Sequence, residues 1–164
     1  MTSAVPAALP ATRAVSYRPI LAAGLLCGAL DITAAFINSG LRGVSPLRVL
    51  RYIAAGLLGA AARNGGLASA GLGLLCHFTI ALSASAVFYL ASRKVSLLTE
   101  QAVISGILYG VAVYFFMAQV VVPLSAAPPL QASVASVLTG IGIHMICVGL
   151  PIALTIRWYS RQPV

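Results

Sequence analysis

Long runs of apolar residues, separated by short polar or proline-containing stretches, dominate the chain. A helix that crosses a bilayer needs about 20 mainly apolar residues, because each residue advances ~1.5 Å across a core ~30 Å thick. Four runs meet this requirement, and we predict spanning helices at residues 19–39, 66–91, 102–122 and 134–156. Pro123 is predicted to end the third span, and Pro151 to kink the fourth or free a carbonyl near Cys147.

A further apolar segment, at residues 46–62, is ambiguous. Its uninterrupted apolar part is too short to cross a membrane, and Arg48 and Arg51 lie three positions apart and share one face near its start. We interpret this segment as a short interfacial or re-entrant helix. A five-span alternative stays open, because the basic residues are divided more unequally between the two sides of the membrane if this segment crosses. Both versions place the C-terminus in the cytoplasm.

Composition agrees with a membrane protein and excludes other classes. The chain has 164 residues, of which 60% are hydrophobic and 7% charged, and this excludes a water-soluble globule and a disordered chain. A net charge of +8 raises the possibility of nucleic acid, but no basic stripe with interleaved aromatic residues is present, so we expect no nucleic-acid partner. The basic residues flank the apolar runs instead, as expected for anchors at lipid headgroups.

These patterns predict an all-α fold, an integral membrane helical bundle of four transmembrane helices plus one short interfacial or re-entrant helix. We divide the chain into a flexible N-terminal arm at residues 1–18, a single transmembrane domain at 19–158 and a C-terminal tail at 159–164. The bilayer is the expected partner. A chain this small has little interior, so a pathway through it is expected to form between the subunits of a homo-oligomer.

Glycines recur at intervals that indicate close helix packing and an internal duplication. Ridges with two small residues four positions apart let helix backbones approach closely in lipid, and four are present: Gly24/Gly28, Gly106/Gly110, Ala55/Gly59 and Gly66/Ala70. The first two ridges also correspond to each other as one repeat, and Gly73-x-x-x-His77 corresponds to Gly140-x-x-x-His144. With four spans, the two halves are parallel repeats. Asp31 then corresponds to Val113, so the acid is not duplicated.

Three ionisable side chains fall near the middle of predicted spans. An ionised group near the bilayer centre costs ~2.5 to 3.5 kcal/mol on insertion scales, so we take Asp31 as the strongest candidate. His77 and His144 lie at a similar depth if there are four spans, and the three side chains then form one polar layer. Cys27, one turn before Asp31, and Cys147, three residues after His144, are weaker candidates.

Such a layer could serve three chemistries. A carboxylate and two imidazoles can pass protons or line a small-solute path, and this is the first function hypothesis. The same groups could instead form a structural polar clasp in a membrane scaffold or accessory subunit that transports nothing. The third hypothesis is a haem or metal carrier, because two histidines on different helices can ligate a metal, although we expect no cofactor. An enzyme is disfavoured, since the chain has no carboxylate pair, nucleophile motif or phosphate-binding glycine loop.

Short motifs of glycine, histidine and proline give this chain one resemblance to known proteins. The motifs comprise Gly24-x-x-x-Gly28-x-x-Asp31, Gly65-Gly66, Gly73-x-x-x-His77, Pro123-Leu124-Ser125 and the stretch from His144 to Gly149-Leu150-Pro151. In these motifs the chain, over about residues 20–157, resembles small polytopic proteins of bacterial inner membranes that are grouped in domain-of-unknown-function families. The resemblance implies a location in the inner membrane and transfers no activity.

Overall fold

The computed structural model describes residues 16–129 and 133–162, and this part of the chain is helical with no strand. Most of the predicted N-terminal arm, residues 1–15, lies outside the described residues, as does the end of the predicted tail. In chain order the helices are α1 Arg18–Gly40, α2 Pro46–Leu58, α3 Gly66–Ser92, α4 Leu97–Glu100, α5 Ala102–Leu124 and α6 Val134–Ser160. A 3₁₀ segment at Gly59–Arg63 follows α2.

Within the described residues, α1, α3, α5 and α6 are the four helices long and apolar enough to cross a membrane. They have 23 to 27 residues and a mean hydropathy of 1.8 to 2.1. The predicted all-α bundle of four long apolar helices with one short helix is therefore confirmed. Helix α2 has only 13 residues, because Gly59 adopts a φ of +57° and ends it. The chain is compatible with a multi-pass integral membrane protein.

Two wide turns interrupt α5 and α6, each just before a proline. The turn Met117–Val121 is π-helical and precedes Pro123, and the turn His144–Gly149 is π-helical and precedes Pro151. Helix α5 ends at Leu124, one residue after Pro123 and within two residues of the end predicted for the third span. Pro151 does not end α6, because a wider turn accommodates the proline ring and the missing N–H, and the helix continues to Ser160.

Small residues make up about half of the buried core, and many large apolar side chains lie on the surface. The main core includes Ala23 and Ala81 together with Phe88 and Ile152, whereas large side chains such as Leu75 are exposed. This distribution leaves a largely apolar outer surface. It is expected where lipid solvates the outer surface and small residues allow tight packing between helices.

The glycine ridges of α1 and α5 form close helix contacts. A Cβ added at Gly24 would meet Leu82 at 2.7 Å, and one added at Gly28 would meet the Phe78 ring at 2.8 Å. The predictions for these two ridges agree with their contacts. Gly59 and Gly66 behave differently, because both have positive φ and lie at helix ends, and neither is crowded by a packed helix.

The contacts of α5 with α6 repeat those of α1 with α3. Gly106 meets the backbone of Gly149, as Gly24 meets Leu82. Gly110 meets Met145, whose Cα would be 2.7 Å from an added Cβ. In the alignment of the two halves, Leu82 corresponds to Gly149 and Phe78 to Met145. Equivalent positions therefore make equivalent contacts, which favours two parallel helix pairs, α1–α3 and α5–α6.

Helix α2 packs against α3 at the end of the bundle where α1 ends and α5 ends. A Cβ added at Gly73 of α3 would collide with the backbone carbonyl of Leu50. The Ala126 N–H donates a 2.9 Å hydrogen bond to the carbonyl of Gly56. These contacts hold α2 between α3 and the segment that follows α5, where it is too short to span.

A hydrogen bond from Tyr109 joins the two helix pairs, and we expect its removal to destabilise the bundle. The Tyr109 hydroxyl donates to the carbonyl of Ala84 at 2.7 Å, and its ring packs edge-on against Phe88. We expect Tyr109→Phe to lower the free energy of unfolding in bicelles by about 0.5 to 1.5 kcal/mol, the usual range for such bonds in membrane proteins. Tyr159→Phe is the control, because that hydroxyl makes no hydrogen bond to another described residue. An equal loss in both variants would contradict the prediction.

Candidate functional site

Asp31, His77 and His144 line one small cavity of about 110 Å³ between the helices. We call it the polar cavity. Its other lining residues are Cys27, Ile53, Ile80, Ala81, Ala84, Val113, Met117 and Val148. Residues from α1, α2, α3, α5 and α6 therefore surround it. The similar depth expected from the sequence for the three ionisable groups agrees with this placement.

Asp31 is half-buried and has no internal partner. Among the described residues, no hydrogen bond or ion pair reaches its carboxylate. The chain contains only one other acidic residue, Glu100, which lies at the far end of the bundle. Within residues 16–129 and 133–162, no basic side chain lines the polar cavity or pairs with the Asp31 carboxylate.

Each histidine uses one ring nitrogen to bind a backbone carbonyl. His77 donates from Nε2 to the Gly28 carbonyl of α1 at 2.9 Å, and His144 donates from Nδ1 to the Gly140 carbonyl at 3.0 Å. Since a carbonyl can only accept, these bonds require a hydrogen on Nε2 of His77 and on Nδ1 of His144. Nδ1 of His77 and Nε2 of His144 make no hydrogen bond to another described residue. No hydrogen bond links the three candidate side chains to one another within the described part of the chain.

The two cysteine candidates differ in position. Cys27 is fully buried, lines the polar cavity and donates weakly to the Gly24 carbonyl at 3.4 Å. Cys147 is half-buried and is not among the lining residues. Within residues 16–129 and 133–162, no group of three or more His, Cys, Asp or Glu side chains is arranged to hold a metal ion. The geometry gives the metal-carrier hypothesis no support.

The polar cavity lies where the two helix pairs meet, and its walls follow the internal duplication. The equivalent pairs Asp31 and Val113, and His77 and His144, all line it. One of the two equivalent positions on the first and third spans is therefore charged and the other apolar. In transporters built from repeats, substrate sites lie near the bilayer midplane at the interface between the repeats.

The structure adds two features to the lining of the polar cavity, the π-helical turns and Ile53. His144 and Met117 are the first residues of the two π-helical turns, so both wide turns border the polar cavity. Such turns occur frequently at functional sites. Ile53 comes from the short helix α2 and forms the wall toward one end of the bundle. The prolines predicted irregular helices, but no local signal in the sequence identifies Ile53 as a lining residue.

The resemblance to small inner-membrane proteins depends on short glycine, histidine and proline motifs, and such motifs alone do not assign a family. The geometry of the polar cavity is therefore what bears on function. No family model, curated protein or solved structure matches this chain.

Proposed function

We propose that this protein is an integral membrane protein of the bacterial inner membrane that moves protons or a small solute through the polar cavity around Asp31. The observation that carries the proposal is the unpaired Asp31 carboxylate, which shares one cavity with His77 and His144 at the contact between two helix pairs. An acidic side chain kept at this depth without a partner lowers stability, so its presence is best explained by function.

The volume of the cavity favours protons over organic solutes. Sites for small organic ligands usually enclose roughly 300 to 1,000 Å³. The polar cavity has about 110 Å³, which is room for a few water molecules. Water in this space could connect the Asp31 carboxylate with the free ring nitrogens of His77 and His144. A proton could then pass from the acid to an imidazole, and the ring could release it again.

The basic residues support an orientation for this bundle. If α2 does not cross, a count along the sequence assigns six basic residues to the side of the two termini and of the connection after α3, and four to the other side. The side with more basic residues is usually cytoplasmic. We therefore place the C-terminus in the cytoplasm, and we expect the pathway to be completed in a homo-oligomer.

Asp31→Asn tests the proposal in proteoliposomes that contain a pH-sensitive dye. The amide cannot carry and release a proton under these conditions, so we expect proton flux to fall at least ~100-fold while the protein remains folded, a loss at the lower end of what general acid–base groups contribute. Glu100→Gln is the matched control, because Glu100 is the only other acidic residue of the chain and does not line the polar cavity. Normal flux through a folded Asp31→Asn protein, or wild-type flux no greater than that of empty vesicles, would refute the proposal.

A scaffold or accessory subunit is the alternative, and one contact favours it. The hydrogen bond from His77 to Gly28 joins α3 to α1, so this side chain also has a structural role. A scaffold predicts that Asp31→Asn leaves cellular function near normal and that His77→Ala only lowers stability. The proton pathway predicts that Asp31→Asn abolishes flux without loss of stability.

A further inference from the structure

Three arginines surround a second, larger cavity at the end of the bundle where α2 lies. The cavity has a volume of about 490 Å³ and is lined by Arg48, Arg51, Tyr52, Ala55, Gly59, Arg63 and Pro128. We call it the arginine cavity. It lies outside the four long helices, and none of its lining residues also lines the polar cavity.

Helix geometry explains why these side chains converge. Positions 48, 51, 52 and 55 fall on one face of α2, three or four residues apart. Gly59, with a φ of +57°, then turns the chain so that Arg63 returns to the same cavity. The small residues Ala55 and Gly59 leave the space open between the longer side chains.

Hydrogen bonds to the backbone hold two walls of the arginine cavity. Arg51 donates from Nε to the Gly66 carbonyl at 3.2 Å and from Nη1 to the Arg63 carbonyl at 3.4 Å. The Tyr52 hydroxyl donates to the Pro128 carbonyl at 3.2 Å. Burial raises the pKa of Tyr52, which further favours the neutral hydroxyl that donates this bond. The cavity is thus organised before anything binds.

No acidic residue of this chain can neutralise the three guanidinium groups. The whole sequence has two acids, of which Asp31 lines the polar cavity and Glu100 lies at the opposite end of the bundle. Arg48 and Arg63 are exposed, and neither side chain makes a hydrogen bond or ion pair with another described residue. Like charges around one cavity repel each other, and an anion from outside the chain would relieve this repulsion.

We infer that the arginine cavity binds a phosphate group, carried either by an anionic lipid headgroup or by a free phosphate compound. Guanidinium groups match phosphate oxygens with paired, charge-assisted hydrogen bonds. The volume falls within the usual range of ligand sites, unlike that of the polar cavity. The level of α2, at one end of the spanning helices, is where lipid phosphates occur. This inference does not depend on proton movement.

Two probes distinguish the sources of the phosphate. Delipidated protein in a neutral detergent is titrated with inorganic phosphate by calorimetry, and its binding of short-chain phosphatidylglycerol is measured by native mass spectrometry. A monoacylglycerol without phosphate is the negative probe. We expect at least one phosphate probe to bind wild-type protein. Binding of inorganic phosphate identifies a free-phosphate site, and binding of the phospholipid alone identifies a headgroup site.

Arg48→Gln and Arg63→Gln test whether the cavity itself binds. We expect each variant to weaken binding about tenfold, the loss of one charge-assisted contact. Arg42→Gln is the matched control, because Arg42 is also exposed and lies between α1 and α2, but it does not line the arginine cavity. This variant should change binding less than about twofold. Circular dichroism and gel filtration check the fold of all three variants. Absence of binding by both phosphate probes, or an equal effect of Arg42→Gln, would overturn the inference.

Discussion

Replacing Gly149 with alanine is expected to lower the free energy of unfolding by about 3 kcal/mol, the upper end of the usual cost of overpacking. The added Cβ would collide with the carbonyl oxygen of Gly106 and would lie 2.6 Å from the amide nitrogen of Gly110. These are backbone atoms, so no side chain can rotate away. Helices α5 and α6 would have to separate along the ridge that holds the second helix pair together.

Gly142→Ala is the matched control for this prediction. Gly142 lies two turns earlier in the same helix, and an added Cβ there meets no atom within 4 Å. Alanine has the higher helix propensity, by about 1 kcal/mol, so Gly142→Ala should leave stability unchanged or increase it. Unfolding by steric trapping in bicelles measures both variants. Equal stability of the two would show that the α5–α6 contact is looser than described.

Gly73→Ala is expected to release α2 from α3 and admit water to the polar cavity. Its Cβ would collide with the carbonyl of Leu50, and Ile53 of the same short helix lines the cavity. An overpacking cost of ~1.5 to 3 kcal/mol corresponds to a ~10- to 100-fold rise in the open population. In a background with Cys76→Ser and Cys147→Ser, the buried Cys27 reports this opening through its labelling by a water-soluble maleimide.

The control for this experiment is Gly71→Ala in the same background. Gly71 is exposed, and an added Cβ there meets no atom within 4 Å, so the rate of labelling should match that of the parent protein. If labelling of Cys27 is equally slow in Gly73→Ala, α2 does not control access to the cavity. The wall formed by Ile53 would then have no role as a barrier.

The lengths of the helices could be predicted because the bilayer fixes the number of apolar residues in a span. The observed ends of α1, α3 and the start of α5 lie within about one residue of the expected ones, and α6 extends further, through the basic and aromatic anchor to Ser160. Pro123 marks the end of α5 to within one residue, whereas Pro151 lies inside α6. Whether a helix continues past a proline depends on how far the preceding turn widens, which local sequence does not specify.

The candidate site was predictable in part. Ionisable side chains at mid-span singled out Asp31, His77 and His144, since such residues are costly in lipid wherever they point. Their hydrogen bonds were not predictable, because the carbonyls of Gly28 and Gly140 accept regardless of residue type. The arginine cavity was missed as well. Arg63 joins Arg48 and Arg51 only because Gly59 turns the chain, and a sequence does not give the direction of that turn.

Asp31 and Val113 occupy equivalent positions in the two halves of the chain and both line the polar cavity, but only Asp31 is acidic. A carboxylate at Val113 would face Asp31 across a space that holds only a few water molecules. Two acids so close together would share a single proton, because both cannot be ionised at once. By carrying valine on one side, the chain leaves Asp31 as the only carboxylate that lines the polar cavity.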